Sequence, residues 1–281
     1  MMSKIDIQKQ MKQAVETVKQ TNPMAGSITN SVTINFVANA QLAVGGSAAM
    51  VYLPDEGEFL AQVGGATYIN VGTLLPIYEE TLPHVAKVLY ENKKPWVLDP
   101  VAVGIGSLRT KLLKQFKAYK PTIIRGNASE IIALAGLWEL DGGTEKSNVR
   151  GVDSTDSVNA ARAAAVELAK WTGGAVAVSG ETDLITDGSQ VVISYGGSHF
   201  MEKITGAGCS LGGVVAVYAT ATTPFIAALT ASAVYNLAGK RAAENVVGPG
   251  SFQVQFLDEL YKATAEDIAN NPFDIKEVQA W

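Results

Sequence analysis

Cysteine occurs once in the 281 residues, at position 209, so no internal disulfide can form. That fits a reducing compartment, and a cytoplasmic protein is expected. Charge is scarce as well: 17% of the residues are Asp, Glu, Lys or Arg, where soluble domains carry about a quarter. No basic cluster is longer than Lys93-Lys94, and 22 basic against 27 acidic residues leave a net charge of -5. The positive footprint of a nucleic-acid binder is therefore missing. Histidine is limited to His84 and His199, and nothing in the sequence pairs either with Cys209, which speaks against a thiol hydrolase. The N-terminus is broken by Asp6 and Glu16 and lacks the continuous apolar stretch of a secretory signal. From Ile204 to Gly239 no residue is charged, yet glycines and threonines dilute the run and Pro224 divides it. Two buried helices, in a core or at a subunit contact, are expected there rather than a membrane span.

What is present is apolar: 47% of the residues are hydrophobic, enough for a large core and too many for a disordered chain. With no break in composition, a single α/β domain over 1-281 is expected. Residues 1-22 should form an amphipathic helix, with Ile5, Met11, Val15 and Val18 near helical spacing. Short apolar runs then alternate with helical patterns. Strands are predicted at Ala66-Gly72, within Pro95-Pro100 where three apolar residues end in Asp-Pro, at Thr122-Arg125 and at Ala175-Val178. Between them, helices are predicted over Pro76-Asn92, from Ser107 as a cap through Phe116, and over Ser157-Trp171. This alternation implies right-handed βαβ units and a mostly parallel sheet, covered by helices on both faces. Asp183-Gly188 and Val191-Gly196 flank an Asp-Gly-Ser turn and read as an antiparallel edge hairpin. From Gly208 onward the chain reads as helices.

Open α/β sheets place ligands beyond the C-terminal ends of their strands. Three predicted strands end there in Asp99, in Arg125-Gly126-Asn127 and in Ser179-Gly180, an acid, a base and a hydroxyl. Ile204-Thr205-Gly206-Ala207-Gly208-Cys209 leads into an apolar helix. Glycines at a helix start let several amides converge on one anion at the positive end of the dipole. No Lys-Ser/Thr follows, so this is not a Walker loop. Cys209 falls in the first helical turn, where a thiol pKa should drop below about 8.5. Glycines that merely pack, and a cysteine that is merely a small hydrophobe, explain the same residues.

Thr205-Gly206-Ala207-Gly208 resembles the anion-hole loop of the ribokinase-like superfamily, and Asn127-Ala128-Ser129-Glu130 its Asn-x-x-Glu element. Cys209 stands where most of that superfamily carries aspartate. With Ile28-Thr29-Asn30, Leu98-Asp99-Pro100-Val101, Gly151-Val152-Asp153-Ser154 and Val178-Ser179-Gly180-Glu181, the chain resembles the hydroxyethylthiazole kinase family. The resemblance implies a three-layer ribokinase-like fold and phosphorylation of 4-methyl-5-(2-hydroxyethyl)thiazole by ATP and Mg2+, a step toward thiamine. It assigns ATP contacts to Arg125, Ser179 and Asn127, and magnesium to Asp99 and Glu130. Gly206, Ala207 and Gly208 would cradle the transferring group, with Cys209 near the substrate hydroxyl as a weak base. Asn30, Met50 and Gly206 would contact the thiazole. It also implies a homotrimer with sites at subunit contacts, which would cover the uncharged surface of Ile204-Gly239. One departure is Gly26, where members often carry histidine. A hydroxymethylpyrimidine or pyridoxal kinase, a nucleotide-repair lyase, and a non-catalytic thiazole binder are the open alternatives.

Overall fold

Residues 2-144 and 157-278 are described by a computed structural model. The expected Gly151-Ser154 element lies outside them. The first half of the chain runs α1 (Lys4–Thr21), β1 (Met24–Ile28), α2 (Ile34–Ala43), β2 (Ser47–Met50), α3 (Pro54–Val63) and β3 (Ala66–Asn70). Then come α4 (Tyr78–Glu91), β4 (Trp96–Asp99), α5 (Ser107–Tyr119), β5 (Ile123–Asn127), α6 (Ala128–Leu137), α7 (Arg162–Thr172) and β6 (Ala175–Ser179). The hairpin β7 (Asp183–Thr186) and β8 (Gln190–Ser194) precedes α8 (Ala207–Ala219), α9 (Pro224–Ala243), α10 (Pro249–Lys262), α11 (Ala265–Ala269) and β9 (Phe273–Glu277).

The strands form one sheet in the order β2-β1-β3-β4-β5-β6-β7-β8-β9. Six strands are parallel, from β2 to β6, and β7, β8 and β9 are antiparallel at one edge. The alternation of side chains along each strand divides the core in two. Tyr68, Val97, Ile123 and Ala177 pack toward α1, α2, α8, α9 and α10. Ile69, Leu98, Ile124 and Val178 pack toward α4, α5, α6 and α7. Apolar runs without polar interruption were the signal for strands covered on both faces, and they are so covered.

Several boundaries differ from expectation for physical reasons. Ile5 is 77% exposed; α1 instead buries Ile7, Met11, Ala14, Val15 and Val18 against α9 and α11. Ser107 is the first helical residue of α5 rather than its cap, since Gly106 occupies that position at φ +79° without a side-chain bond. Ser157 caps a turn by accepting from the Ala160 amide at 3.2 Å, and regular helix begins only at Arg162. β1 and β2, built from Met-Ala-Gly-Ser-Ile and Ser-Ala-Ala-Met, are too short and too small-sided to announce themselves. The end of the chain is not wholly helical: β9 pairs with β8, its polar residues suited to a half-covered edge. The hairpin turn is held by Asp187 Oδ1, which accepts from the Ser189 and Gln190 amides at 2.8 and 3.0 Å, with Gly188 at φ +87°.

The uncharged stretch from Ile204 to Gly239 forms α8 and most of α9, almost entirely buried inside this chain. Of the two places expected for these helices it is therefore the core, and the expectation that the stretch is a surface covered at a subunit contact is corrected. Among the described residues no helix is long and apolar enough to cross a membrane.

Candidate active site

β1 connects outward to β2, whereas β3 lies on the other side of β1, so the connections diverge between β1 and β3. Open α/β sheets bind ligands at such a divergence, beyond the C-terminal strand ends. β3, β4, β5 and β6 end there in Asn70, Asp99, Asn127 and Ser179. Alternation places Asn70 two residues after Tyr68, Asp99 after Val97, Arg125 after Ile123 and Ser179 after Ala177. All four side chains thus share the face covered by α8, and the sequence-expected acid, base and hydroxyl meet.

Asp99 and Arg125 form the centre. Arg125 Nη1 lies 3.3 Å from Asp99 Oδ2, and its Nη2 donates to Ser179 Oγ at 3.1 Å. Both charges are buried, which leaves them costly unless satisfied. Asp99 Oδ2 also accepts from Tyr68 Oη at 2.8 Å and Asn70 Nδ2 at 3.2 Å. Desolvation lifts the Asp99 carboxyl above its ordinary value, while Arg125 and the Tyr68 and Asn70 donors pull it down. Asp99 Oδ1 and Arg125 Nε are buried and have no hydrogen-bond partner among the described residues. The paired side chains therefore keep one spare acceptor on Asp99 and one spare cationic donor on Arg125.

α8 brings its first turn to this pair. Gly206 caps it at φ +95°, a left-handed conformation that favours glycine. The amides of Ala207, Gly208 and Cys209 lie before the first intrahelical bond, from Ser210 N to Gly206 O at 2.8 Å. A Cβ on Gly208 would stand 2.8 Å from Arg125 Nη2, and one on Gly212 would stand 2.3 Å from the Tyr68 ring. The packing account therefore applies to these glycines: Gly212 lies on Tyr68, Gly206 on Thr33 and Phe36, and Gly208 on the guanidinium of Arg125. Cys209 is only partly exposed and accepts from Asn30 Nδ2 at 3.5 Å. Burial and the charge of Asp99 push its thiol up to about 11, with Arg125 opposing. The expected lowering by the helix dipole is outweighed, because the thiolate would lie in a dry site beside a carboxylate.

Glu130 approaches from the opposite helix layer. Its Oε2 accepts from the Asn127 amide at 2.9 Å, and Asn127 Oδ1 accepts from the Glu130 amide at 2.9 Å, a reciprocal cap of α6. Its Oε1 accepts at 3.3 Å from the amide of Ala102, a non-glycine residue held at φ +58°. Burial and the nearby Asp99 push Glu130 up to about 7. Among the described residues no group of three or more His, Cys, Asp or Glu could cage a metal. The orphaned Asp99 Oδ1 and the neighbouring Glu130 nevertheless fit Mg2+, which takes one or two carboxylates and keeps several waters.

Asn30, after β1, joins the cluster by donating to Asn70 Oδ1 at 3.0 Å. Met50 ends β2 in register with Ser27 and packs on the α8 side, with no bond to the network. Gly26 faces Leu60 of α3, away from α8, so that departure leaves the cluster untouched. Tyr68 and Asn70 escaped the sequence reading. Asn70 pairs in register with Asp99, so the rule that singled out polar strand ends applies to it equally. Tyr68 lies inside an apolar run and gave no signal.

The profile of the Hydroxyethylthiazole kinase family matches residues 15-266. The hydroxyethylthiazole kinase of Bifidobacterium longum is 52% identical over 276 residues, covering 92% of this chain and 88% of that protein. The solved structure of a hydroxyethylthiazole kinase protein from Pyrococcus horikoshii superposes with a TM-score of 0.83 at 29% identity, covering 96% of this chain and all of that one. A ribokinase-like superfamily protein from Enterococcus faecalis superposes with a TM-score of 0.60 at 14% identity, covering 94% and 96%, which shows the shared fold alone.

Proposed function

This chain belongs to the hydroxyethylthiazole kinase family, and we propose that it transfers the γ-phosphoryl group of ATP to the hydroxyl of 4-methyl-5-(2-hydroxyethyl)thiazole, in the supply of thiamine. The observation that carries this reading is the Asp99-Arg125-Ser179 group under the open first turn of α8. Phosphoryl transfer asks the protein for positioning and charge stabilisation and little covalent chemistry, and this group offers both.

Arg125 is a permanent cation whose planar fork suits phosphate oxygens, and Ser179, already bonded to it, adds a hydroxyl on the same side. Asn127 sits beside Ser179 in register, at the cap of α6. The amides after Gly206 aim at the transferring group, where negative charge is stabilised without reorganisation. Asp99 and Glu130 would hold Mg2+ through water, and the bound ion would neutralise charge on the phosphate oxygens. Asn30 and Cys209 stand together where the alcohol would lie, and Met50 offers a polarizable thioether to a sulfur heterocycle. At about 11 the Cys209 thiol stays protonated at neutral pH, so it orients the hydroxyl rather than removing its proton. A loose transition state allows that proton to leave late.

A cytoplasmic homotrimer is part of the same reading. The support for an assembly is the unpaired outer edge of β2, together with exposed apolar side chains in the segments before and after that strand, Leu42, Leu53, Phe59 and Val63. The test of function is Mg2+-dependent ADP release from ATP with the thiazole alcohol, hydroxymethylpyrimidine and pyridoxal in parallel. Release confined to the thiazole alcohol is expected; release with either of the others instead would move the chain to a different acceptor.

A further inference from the structure

Two backbone amides decide which way two buried carboxamides point. The Gly72 amide donates to Asn70 Oδ1 at 2.8 Å, and the Thr33 amide donates to Asn30 Oδ1 at 3.2 Å. A backbone N–H can only donate, so in each side chain the atom facing it is the oxygen. The direction of the remaining bonds follows. Asn30 Nδ2 donates to Asn70 Oδ1 at 3.0 Å and to Cys209 Sγ at 3.5 Å. Asn70 Nδ2 donates to Tyr68 Oη at 2.8 Å and to Asp99 Oδ2 at 3.2 Å. Tyr68, accepting from Asn70, keeps its own hydrogen for Asp99 Oδ2. Asp99 Oδ2 therefore collects three donors, from Tyr68, Asn70 and Arg125, and Oδ1 collects none.

We propose that Asn70 is the positioning residue of the transfer site, fixing the Asp99 carboxylate so that Oδ1 is the oxygen left free while holding the Asn30 amide against Cys209. The proposal rests on the kinase reading above. A carboxamide has two acceptor lone pairs and two N–H donors, and Asn70 uses all four. With no capacity left for a ligand it is not a catalytic residue; it acts through Asp99 and Asn30. One buried side chain thus joins the alcohol end of the site, Cys209 and Asn30, to its phosphate end, Asp99, Arg125 and Ser179. Rotation of the Asp99 carboxylate would break three bonds at once, so its orientation is set before any ligand arrives.

Asn70→Asp tests this with little change of shape. It keeps an acceptor for Gly72 and Asn30, removes both donors, and sets an oxygen against Asp99 Oδ2. Turnover should fall about 10- to 100-fold, as loss of a partner behind a metal-binding carboxylate typically does. The KM for the thiazole alcohol should move far less than kcat, since uniform binding is not what is removed. Calorimetry gives a readout without turnover: the gain in ADP affinity that Mg2+ brings to the wild type should shrink in Asn70→Asp. A structural role alone would lower the melting temperature and leave that gain unchanged. Tyr68→Phe removes one donor to Asp99 and should show a smaller loss in the same direction, and it carries the same measurements if Asn70→Asp does not fold. Wild-type kcat and wild-type Mg2+ gain in the variants would overturn the proposal and leave the kinase reading standing. A wild type that binds MgADP but phosphorylates no alcohol would sink the kinase reading, and calorimetry would still decide the place of Asn70.

Discussion

The chemistry of this site depends on which groups are charged in a dry crevice, and Cys209 is the plainest case. Its thiol is pushed up to about 11 by burial and by Asp99, so Cys209→Ala removes a neutral positioning group. Turnover should fall without disappearing, by less than the roughly 100-fold at which loss of a working base begins. Steady-state kcat of the variant checks this, and a drop to background would restore the base role. Glu130 carries a second prediction. Its ordinary value of 4.5 is raised to about 7, so the fold favours its protonated form. The stability it contributes is full below about pH 4.5 and is lost as pH rises through about 7. Relative to Glu130→Gln, the apo wild type should lose up to about 3 kcal/mol between those limits, given about 1.4 kcal/mol per pKa unit. Urea unfolding at several pH values measures the difference, and equal pH slopes in the two proteins would contradict it. At this scale Asp99, Arg125 and Ser179 were legible in the sequence because each stops an apolar run. Tyr68 was not, because its ring belongs to the core while its hydroxyl belongs to the site. The height of the Cys209 value was not legible either, since a helix start lowers a thiol pKa and only the packed structure reveals the opposing carboxylate.

Helix α8 shows how an element can be shaped by what its glycines admit. Gly208 lets the first turn lie directly on the guanidinium of Arg125, which is itself fixed by Asp99 and Ser179. Gly208→Ala would put a methyl 2.8 Å from Nη2 and 3.0 Å from Nη1. The arginine can yield only by giving up one of its bonds, so affinity for ATP should weaken by about 10-fold or more, the worth of a charge-assisted hydrogen bond. Titration with nucleotide measures it, and unchanged affinity would mean that Arg125 does not serve the phosphates. Helices α1, α4, α5, α7 and those after Gly208, with the central strands, were legible from periodicity and from apolar runs closed by Gly or Pro, whereas α2, α3 and α6 were not read from the sequence. β1, β2 and β9 were not: the first two are short and small-sided, and the third alternates with charge at an edge.

At the scale of the molecule, the sheet order is what makes a site possible. Divergence of the connections between β1 and β3 opens a crevice, and parallel strands deliver Asn70, Asp99, Asn127 and Ser179 to its rim. The parallel sheet and its antiparallel hairpin were legible from the order of the patterns alone. The fate of the uncharged Ile204-Gly239 stretch was not, because an apolar surface at a subunit contact and an apolar core have the same composition. The central claim is that this rim passes a phosphoryl group from ATP to the alcohol of hydroxyethylthiazole. Phosphorus NMR of a reaction containing wild-type protein, MgATP and the thiazole alcohol tests it most directly. A new phosphate monoester signal growing in step with ADP, and absent with Arg125→Ala, is the predicted result. ADP formed with inorganic phosphate as its only partner, or no reaction in protein that binds MgATP, would contradict it.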